Sequence, residues 1–405
     1  MRASVFVLLA IVFCSAAYGA DVQPSPWKPM NGVSGWVHSL AVLDGRLYVG
    51  GDRNELLGPT SPATVAVWNG TTWIPLGGDI AERATALGVY KGDLIVGCQN
   101  FSGGGPVGFH NVLRWTGSNW EPLGDFPDPY TEVDGLTTIG DTLYVTSFNG
   151  NYRFDGITWT EIPHFPYDEA VNLRLAQYEG NVYMGTAAGA GTVPRVLRLT
   201  EFGWAPVFSS DGATTPVGAT GVFSMLDAHG MLYAGGSMLL AEQPCAVAAF
   251  NGTDWIDMTF NLPARISGLG LYHDTLVVGT ADGMWQLVGE RWKRIGTTSD
   301  DVTFIGEYAG SLVAAGWFET VDGNAAPFVS QWFGCCAGLR GNVNFTGIVD
   351  LGDLSALVSF LTGGGYVLPC NEEADVNGMG IVDLSDLSSL VSYLTGGGYV
   401  LPNCP

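Results

Sequence analysis

Basic side chains are scarce: the 405-residue chain carries 16 Lys and Arg against 39 Asp and Glu, a formal net charge of −23. A surface so acidic excludes a duplex nucleic-acid binder, which must neutralise phosphates, and disfavours an anionic membrane. Charged residues of both signs make up only 14% of the chain, yet 47% is hydrophobic and 13 residues are Trp, so most of it is expected to fold. Past the leading segment no apolar run is long enough to span a bilayer. Histidine is rare as well. His38, His110, His164, His229 and His273 are scattered, form no metal or nucleophile constellation, and read as turn or surface residues. No catalytic residue and no phosphate-cradling loop is assigned.

The first residues fit an export signal, with Arg2 as the basic start, Val5 to Phe13 as the apolar stretch and Ala17-Tyr18-Gly19 as a small-x-small cleavage site. The expected domains are a signal peptide at 1–19, a β domain at 20–334 and a small tail at 335–405, in an extracellular, oxidising setting with attachment to a cell surface left open. The mature protein is expected to be a monomer that does not insert into membranes.

Glycine, in contrast, is abundant, at 58 residues, and punctuates a repeat. An apolar strand, a turn and a second apolar strand appear in Leu40–Gly51, and six further copies follow. Their second strands begin at Leu47, Leu94, Leu143, Val182, Leu232, Leu276 and Leu312, at intervals of 36 to 50 residues. A second hairpin follows most copies, as in Ala66-Val67-Trp68-Asn69-Gly70-Thr71-Thr72-Trp73, where Asn-Gly predicts a tight type I′ turn. Four short antiparallel strands per copy amount to one propeller blade, so the fold class is all-β with seven blades. The seventh copy ends at Trp332 without a fourth strand, while Trp27-Lys28-Pro29 stands alone ahead of the first. The leading strand therefore completes the last blade and closes the ring. The recurrent Trp residues read as packing between blades. Over residues 27–334 these segments resemble secreted Kelch-like repeats of the galactose-oxidase central-domain type, a resemblance that implies a propeller and no copper chemistry.

Loops after the second and fourth strands are long and share one rim, where function is expected. That rim collects Trp36, His38, Glu82, Arg83, Glu132, Asp134, Asp168, Glu169, Arg265, Asp300, Asp301, Trp317 and Glu319. From it Trp36, Trp317, Glu82, Arg83, Asp134, Asp168 and Asp301 are taken as the ligand face. Trp36 and Trp317 come from the first and seventh blades, neighbours in a closed ring, and could form an aromatic platform for a sugar. The expected ligand is a protein or a glycan. Paired carboxylates on the rim leave glycoside hydrolysis, and with it polysaccharide catabolism, as the alternative, though spacing singles out no pair.

In the tail, residues 348–369 and 381–402 are near copies at an offset of 33, differing at three positions. With the residues ahead of them they form two loops bearing oxygen-rich side chains at loop positions 1, 3, 9 and 12 and Gly at 6, a spacing suited to calcium. Leu354, Leu357, Val358 and Leu361, like Leu387, Leu390, Val391 and Leu394, predict a helix after each loop with one apolar stripe. The arrangement resembles a type I dockerin module. By that resemblance the first site uses Asn342, Asn344, Thr346, the carbonyl of Ile348, Asp350 and Asp353. The second uses Asp375, Asn377, the carbonyl of Ile381, Asp383 and Asp386. Asn342 removes a charge and Met379 offers no oxygen, so two weak Ca²⁺ sites, on the order of 10⁻⁴ to 10⁻³ M, are expected to order the fold. A cohesin-like or other surface protein is the implied partner, although Leu351-Gly352 and Leu384-Ser385 depart from the Ser-Thr-like pairs of dockerins that bind cohesins.

Seven cysteines are present, and Cys14 leaves with the signal. Cys335, Cys336, Cys370 and Cys404 bracket the tail and allow three pairings. Loop-helix pairs of the resembled kind bring the module's ends together, which favours Cys404 with Cys335 or Cys336 and the other with Cys370. Cys98 and Cys245 lie in different blades and are expected to be buried thiols.

Overall fold

A computed structural model describes residues 26–402 apart from 78–79, 81, 100–110, 128–131, 148, 164–170, 188–193, 213, 264, 333–339, 345, 347, 367, 369 and 380. The signal segment, His110, His164, Asp168, Glu169, Cys335, Cys336 and Cys404 thus lie outside the described residues.

Small antiparallel sheets dominate. Val37–Leu43, Arg46–Gly51, Val65–Trp68 and Trp73–Pro75 form the first four-stranded unit, and the same up-and-down order repeats along the chain. The fourth and fifth units are joined edgewise by the pairing of Ala187 with Gly221, and they also share one hydrophobic core. In the last unit the leading strand Trp27–Pro29 pairs with Val329–Trp332, placing Trp27 opposite Trp332. The first strand of each unit lies against the first strand of the next, and Val302–Tyr308 returns to Val37–Leu43, closing the circuit. The arrangement is all-β and propeller-like.

Burial follows position within the unit. Second strands such as Arg46–Gly51 are buried on both faces beyond their first residue, which is why they read as continuous apolar runs. Glycine on these strands admits the neighbouring unit: a Cβ on Gly97 would overlap Val133, and one on Gly279 would overlap Val302.

The fourth-strand tryptophans do more than fill space. Each of several donates its indole Nε1–H to a backbone carbonyl of the preceding unit: Trp73 to Met30 (2.8 Å), Trp120 to Leu76 (2.8 Å), Trp159 to Leu123 (2.7 Å), Trp255 to Val207 (2.9 Å) and Trp292 to Met258 (2.9 Å). Trp27 does the same to Ile295 at 2.8 Å, so the leading strand is tied to two units. Each such bond contributes about 1 kcal/mol beyond the apolar burial of the ring.

Turn chemistry differs from expectation. Left-handed pairs occur in the inner hairpins, at Asp44-Gly45, Lys91-Gly92, Glu179-Gly180, His229-Gly230, His273-Asp274 and Ala309-Gly310, as a type I′ turn requires. At Asn69-Gly70 only Gly70 has positive φ. Asn69 instead accepts the Thr71 and Thr72 N–H groups through Oδ1, making an Asx-turned loop between Trp68 and Trp73.

The tail contains helices α1 (Leu351–Leu361), α2 (Asn371–Ala374) and α3 (Leu384–Leu394). Asp350 and Asp383 cap α1 and α3, each completing a capping box with the acid three residues on. Leu357 and Leu390 are fully buried in a core with Val343, Ala374, Val376 and Leu401. Val358 and Val391 stay 39% exposed, so the apolar stripe is narrower than the periodicity predicts. Cys98 and Cys245 are free and buried, whereas Cys370 is disulfide-bonded.

Candidate functional site

First strands of most units, though not Gly268–Tyr272, share an irregularity that alternation in the sequence hides. Register with the second strand slips at His38, Thr85, Asp134, Leu173, Phe223 and Thr303. A bulge of this kind re-aims a side chain that regular pleating would turn away. Four of these residues, His38, Thr85, Asp134 and Thr303, line a cavity of about 220 Å³ together with Val37, Arg83, Glu132, Arg174, Phe304 and Trp317.

A continuous chain of polar contacts runs along one side of the cavity. His38 Nε2 lies 2.9 Å from Asp52 Oδ2, and Arg83 Nε donates to Asp52 Oδ1 at 2.6 Å. Arg83 Nη1 donates to Gln99 Oε1 at 3.2 Å, and Gln99 Nε2 to Glu132 Oε2 at 2.6 Å. Three units are thereby linked. Burial would raise the Asp52 carboxyl, but its bonds to Arg83 and His38 outweigh that and hold it below the usual carboxylate range. Burial lowers the His38 imidazole despite the Asp52 carboxylate beside it.

Glu132 and Asp134 behave in the opposite way. Burial pushes Glu132 up against the pull of Arg83, and pushes Asp134 up to about 7, with the Glu132 charge adding and Arg174 opposing. Asp134 Oδ2 is buried with no hydrogen-bond partner among the described residues. Arg174 donates to the Asp134 carbonyl at 3.3 Å and sets its guanidinium 5.4 Å from the Phe304 ring centre. Thr85, Arg174 and Phe304 line this cavity and also a second one of about 140 Å³, bordered by Leu40, Leu87, Leu136 and Leu175. They form the waist between the two.

At the lip, Trp36 and Trp317 face each other with ring centres 5.7 Å apart and planes inclined by 32°. They are 49% and 38% exposed, so a broad aromatic surface stands beside the polar cavity.

Of the rim residues named from sequence, the structure gathers Trp317, His38, Arg83, Glu132 and Asp134 around one cavity, with Trp36 against Trp317. Glu82 is half-buried and does not line it. Asp301 departs from its expected place on an open face: it is buried, accepting from Ser267 Oγ at 2.6 Å and pairing with Arg265 at 3.4 Å. Arg265 in turn covers the Phe223 ring at 5.0 Å. His38 is likewise no surface residue. Asp52, Thr85, Gln99, Arg174, Thr303 and Phe304 escaped the sequence reading. The signal that could have found Thr85 and Thr303 is alignment of the first strands on their apolar entry residue, which puts His38, Thr85, Asp134 and Thr303 in one column after Val37, Ala84, Val133 and Val302.

In the tail the two loops repeat each other's bonding. Asp353 is fully buried and accepts the N–H groups of Asn344 (2.9 Å) and Asp350 (2.8 Å). Asp386, also fully buried, accepts those of Asn377 (2.9 Å) and Asp383 (2.8 Å). Asn342 is buried, and Asn344 Oδ1 accepts from Thr346 N and Oγ1. The side chains of Ile348 and Ile381 point outward, 62% and 69% exposed. The second loop differs at its first position, where Asp375 pairs with Arg340 at 2.9 Å and accepts the Met379 N–H at 3.0 Å. Among the described residues no three His, Cys, Asp or Glu side chains converge on a common metal position.

No family model and no curated protein matches this chain. Solved structures do resemble it. One is the extracellular domain described as that of a hybrid two-component system from B. thetaiotaomicron, at TM-score 0.52 and 14% identity, covering 76% of this chain and 40% of that one. A second, described as the extracellular domain of a one-component system from the same organism, gives TM-score 0.52 and 13% identity over 81% of this chain and 42% of that one. A GH74 xyloglucanase from Xanthomonas campestris reaches only 0.47 at 14% identity, over 74% and 43%, too low to argue from. This chain therefore spans about two fifths of the extracellular domains it matches, and at such identities the likeness concerns the fold alone.

Proposed function

We propose that the chain is a secreted, noncatalytic seven-bladed propeller that binds a glycan at the cavity mouth, carrying a calcium-stabilised, dockerin-like tail for attachment to another surface component. The observation that carries the glycan reading is the exposed Trp36 and Trp317 pair beside a cavity lined by Arg83, Glu132 and Asp134. Sugar rings stack on aromatic faces through C–H groups while their hydroxyls need donors and acceptors at the side, and both are on hand. Support for seven blades comes from the closed circuit of first strands and from the leading strand's pairing with Val329–Trp332. Export rests on the leading sequence; among the described residues no helix is long and apolar enough to cross a membrane.

For the tail, the donor chemistry fits a hard cation: Asn342, Asn344, Thr346, Asp350 and Asp353 offer oxygens in one loop, and Asp375, Asn377, Asp383 and Asp386 in the other. Calcium there would neutralise the two fully buried carboxylates and order the loops. Arg340 competes for Asp375, which makes the second loop the weaker.

Retention of the full chain on a panel of plant and microbial glycans tests the reading. We expect retention of at least one glycan, with Trp36→Ala cutting affinity about tenfold, the effect of losing roughly 1–2 kcal/mol of stacking. Retention by none overturns it. The raised Glu132 and Asp134 carboxyls favour one further reading, a glycoside hydrolase in which one of them remains protonated as the acid. Release of reducing ends from a retained glycan, abolished by Asp134→Asn, would establish that instead.

A further inference from the structure

We infer that the cavity takes the terminal residue of a glycan chain, end-on, with Asp134 as the group that reads its hydroxyls; this rests on the carbohydrate reading above. The cavity is a dead end for a sugar. Its about 220 Å³ falls below the roughly 300–1,000 Å³ of pockets that hold drug-sized molecules, leaving room for one small ring and not for a chain passing through. Beyond the waist made by Arg174 and Phe304 the second cavity is smaller still, about 140 Å³, with leucines and Ser39 in its walls, and leaves no room for a further ring.

Specificity is concentrated at the blind end. His38, Thr85 and Asp134 are bulge residues on three neighbouring strands, so three polar groups converge where a regular sheet would have turned them away. Two of the acceptors are already committed: Asp52 to His38 and Arg83, and Glu132 to Gln99. Asp134 Oδ2 is the one left buried and unpartnered, and a buried acceptor of that kind discriminates strongly for a ligand that brings a donor. The tryptophan pair at the lip then carries the next sugar outward, away from the waist, giving the bound chain one direction only.

The test compares linear hexasaccharides of β-1,4-glucose, β-1,4-xylose, β-1,4-mannose and α-1,4-glucose with long polymers of the same linkages, titrated into the full chain at equal mass of sugar. Capture of chain ends makes affinity per gram rise with the number of ends, so the hexasaccharide of the bound linkage is expected to exceed its polymer at least roughly tenfold. Asp134→Ala is expected to weaken hexasaccharide binding about tenfold while leaving the thermal midpoint equal or higher, and Asp134→Asn, which keeps the shape, separates loss of the carboxylate from loss of packing. A polymer bound as tightly per gram as its hexasaccharide overturns end-on capture and leaves the carbohydrate reading standing. Failure of every sugar to bind overturns the reading beneath it.

Discussion

Asp134 is held at a cost to the fold. Its carboxyl ordinarily ionises near 3.8, and in the folded chain burial keeps the proton on up to about 7. Between those values the native state holds one more proton than the unfolded chain, so the free energy of unfolding falls as pH rises and levels off above pH 7. The contribution is at most on the order of 4 kcal/mol. Asp134→Asn removes the titration: its stability relative to the parent is expected to grow from pH 5 to pH 8 in urea unfolding. Parallel curves for the two proteins would mean that Asp134 is not so perturbed. A residue that weakens the fold while lining a cavity is the pattern expected of a binding group. Single residues were also the least legible part of the sequence. Trp36 and Trp317 could be paired in advance because ring order makes their units neighbours, but Arg174 and Phe304 could not. A bulge moves a side chain to the other face without changing the hydrophobic pattern around it, and nothing in the spacing of Val133 and Leu136 marks Asp134 as turned inward.

Among elements, the leading strand is three residues long yet joins both ends of the described β domain. Trp27 stacks on Trp332 with ring centres 6.0 Å apart and ties itself to Ile295, so its loss opens the last unit and releases the one before it. Trp27→Ala is expected to destabilise the β domain by about 3–5 kcal/mol, read as a fall in the denaturation midpoint. Trp204→Ala is the informative comparison, since Trp204 occupies the same place in the fourth unit but its Nε1 has no partner among the described residues. It should cost about 1 kcal/mol less. Equal losses would show that the indole bonds add nothing to the packing. At this scale the sequence was read well where local chemistry repeats: strand pairs, the unpaired last copy and the orphan first strand follow from counting. The second-hairpin turn was misread because Asn-Gly supports either a two-residue left-handed turn or an Asx-capped longer one, and pairing of Trp68 with Trp73 selects the longer.

Across the whole molecule, the tail core of Leu357, Ala374, Leu390 and their neighbours is a hydrophobic cluster separate from those of the β units, and it is small. A core of that size contributes only a few kcal/mol and depends on staples, of which the Cys370 disulfide is one. Calcium is the proposed other. Binding linkage then fixes what should be seen: at 10 mM Ca²⁺ and dissociation constants on the order of 10⁻⁴ to 10⁻³ M, each occupied loop adds about 1–3 kcal/mol. Calorimetry of the full chain is therefore expected to show a lower transition that rises with Ca²⁺ and falls with chelator, while the transition of the tryptophan-tied β units stays put. Magnesium at the same concentration should shift it far less, because a small cation that demands octahedral geometry fits these long, amide-rich loops poorly. Asp353→Asn should halve the calcium response, and Arg340→Met should enlarge it by breaking the 2.9 Å ion pair to Asp375 and freeing that carboxylate for the metal. A thermogram indifferent to calcium and chelator alike would reduce the tail to a disulfide-held cap whose buried aspartates serve the capping boxes of α1 and α3 and nothing more.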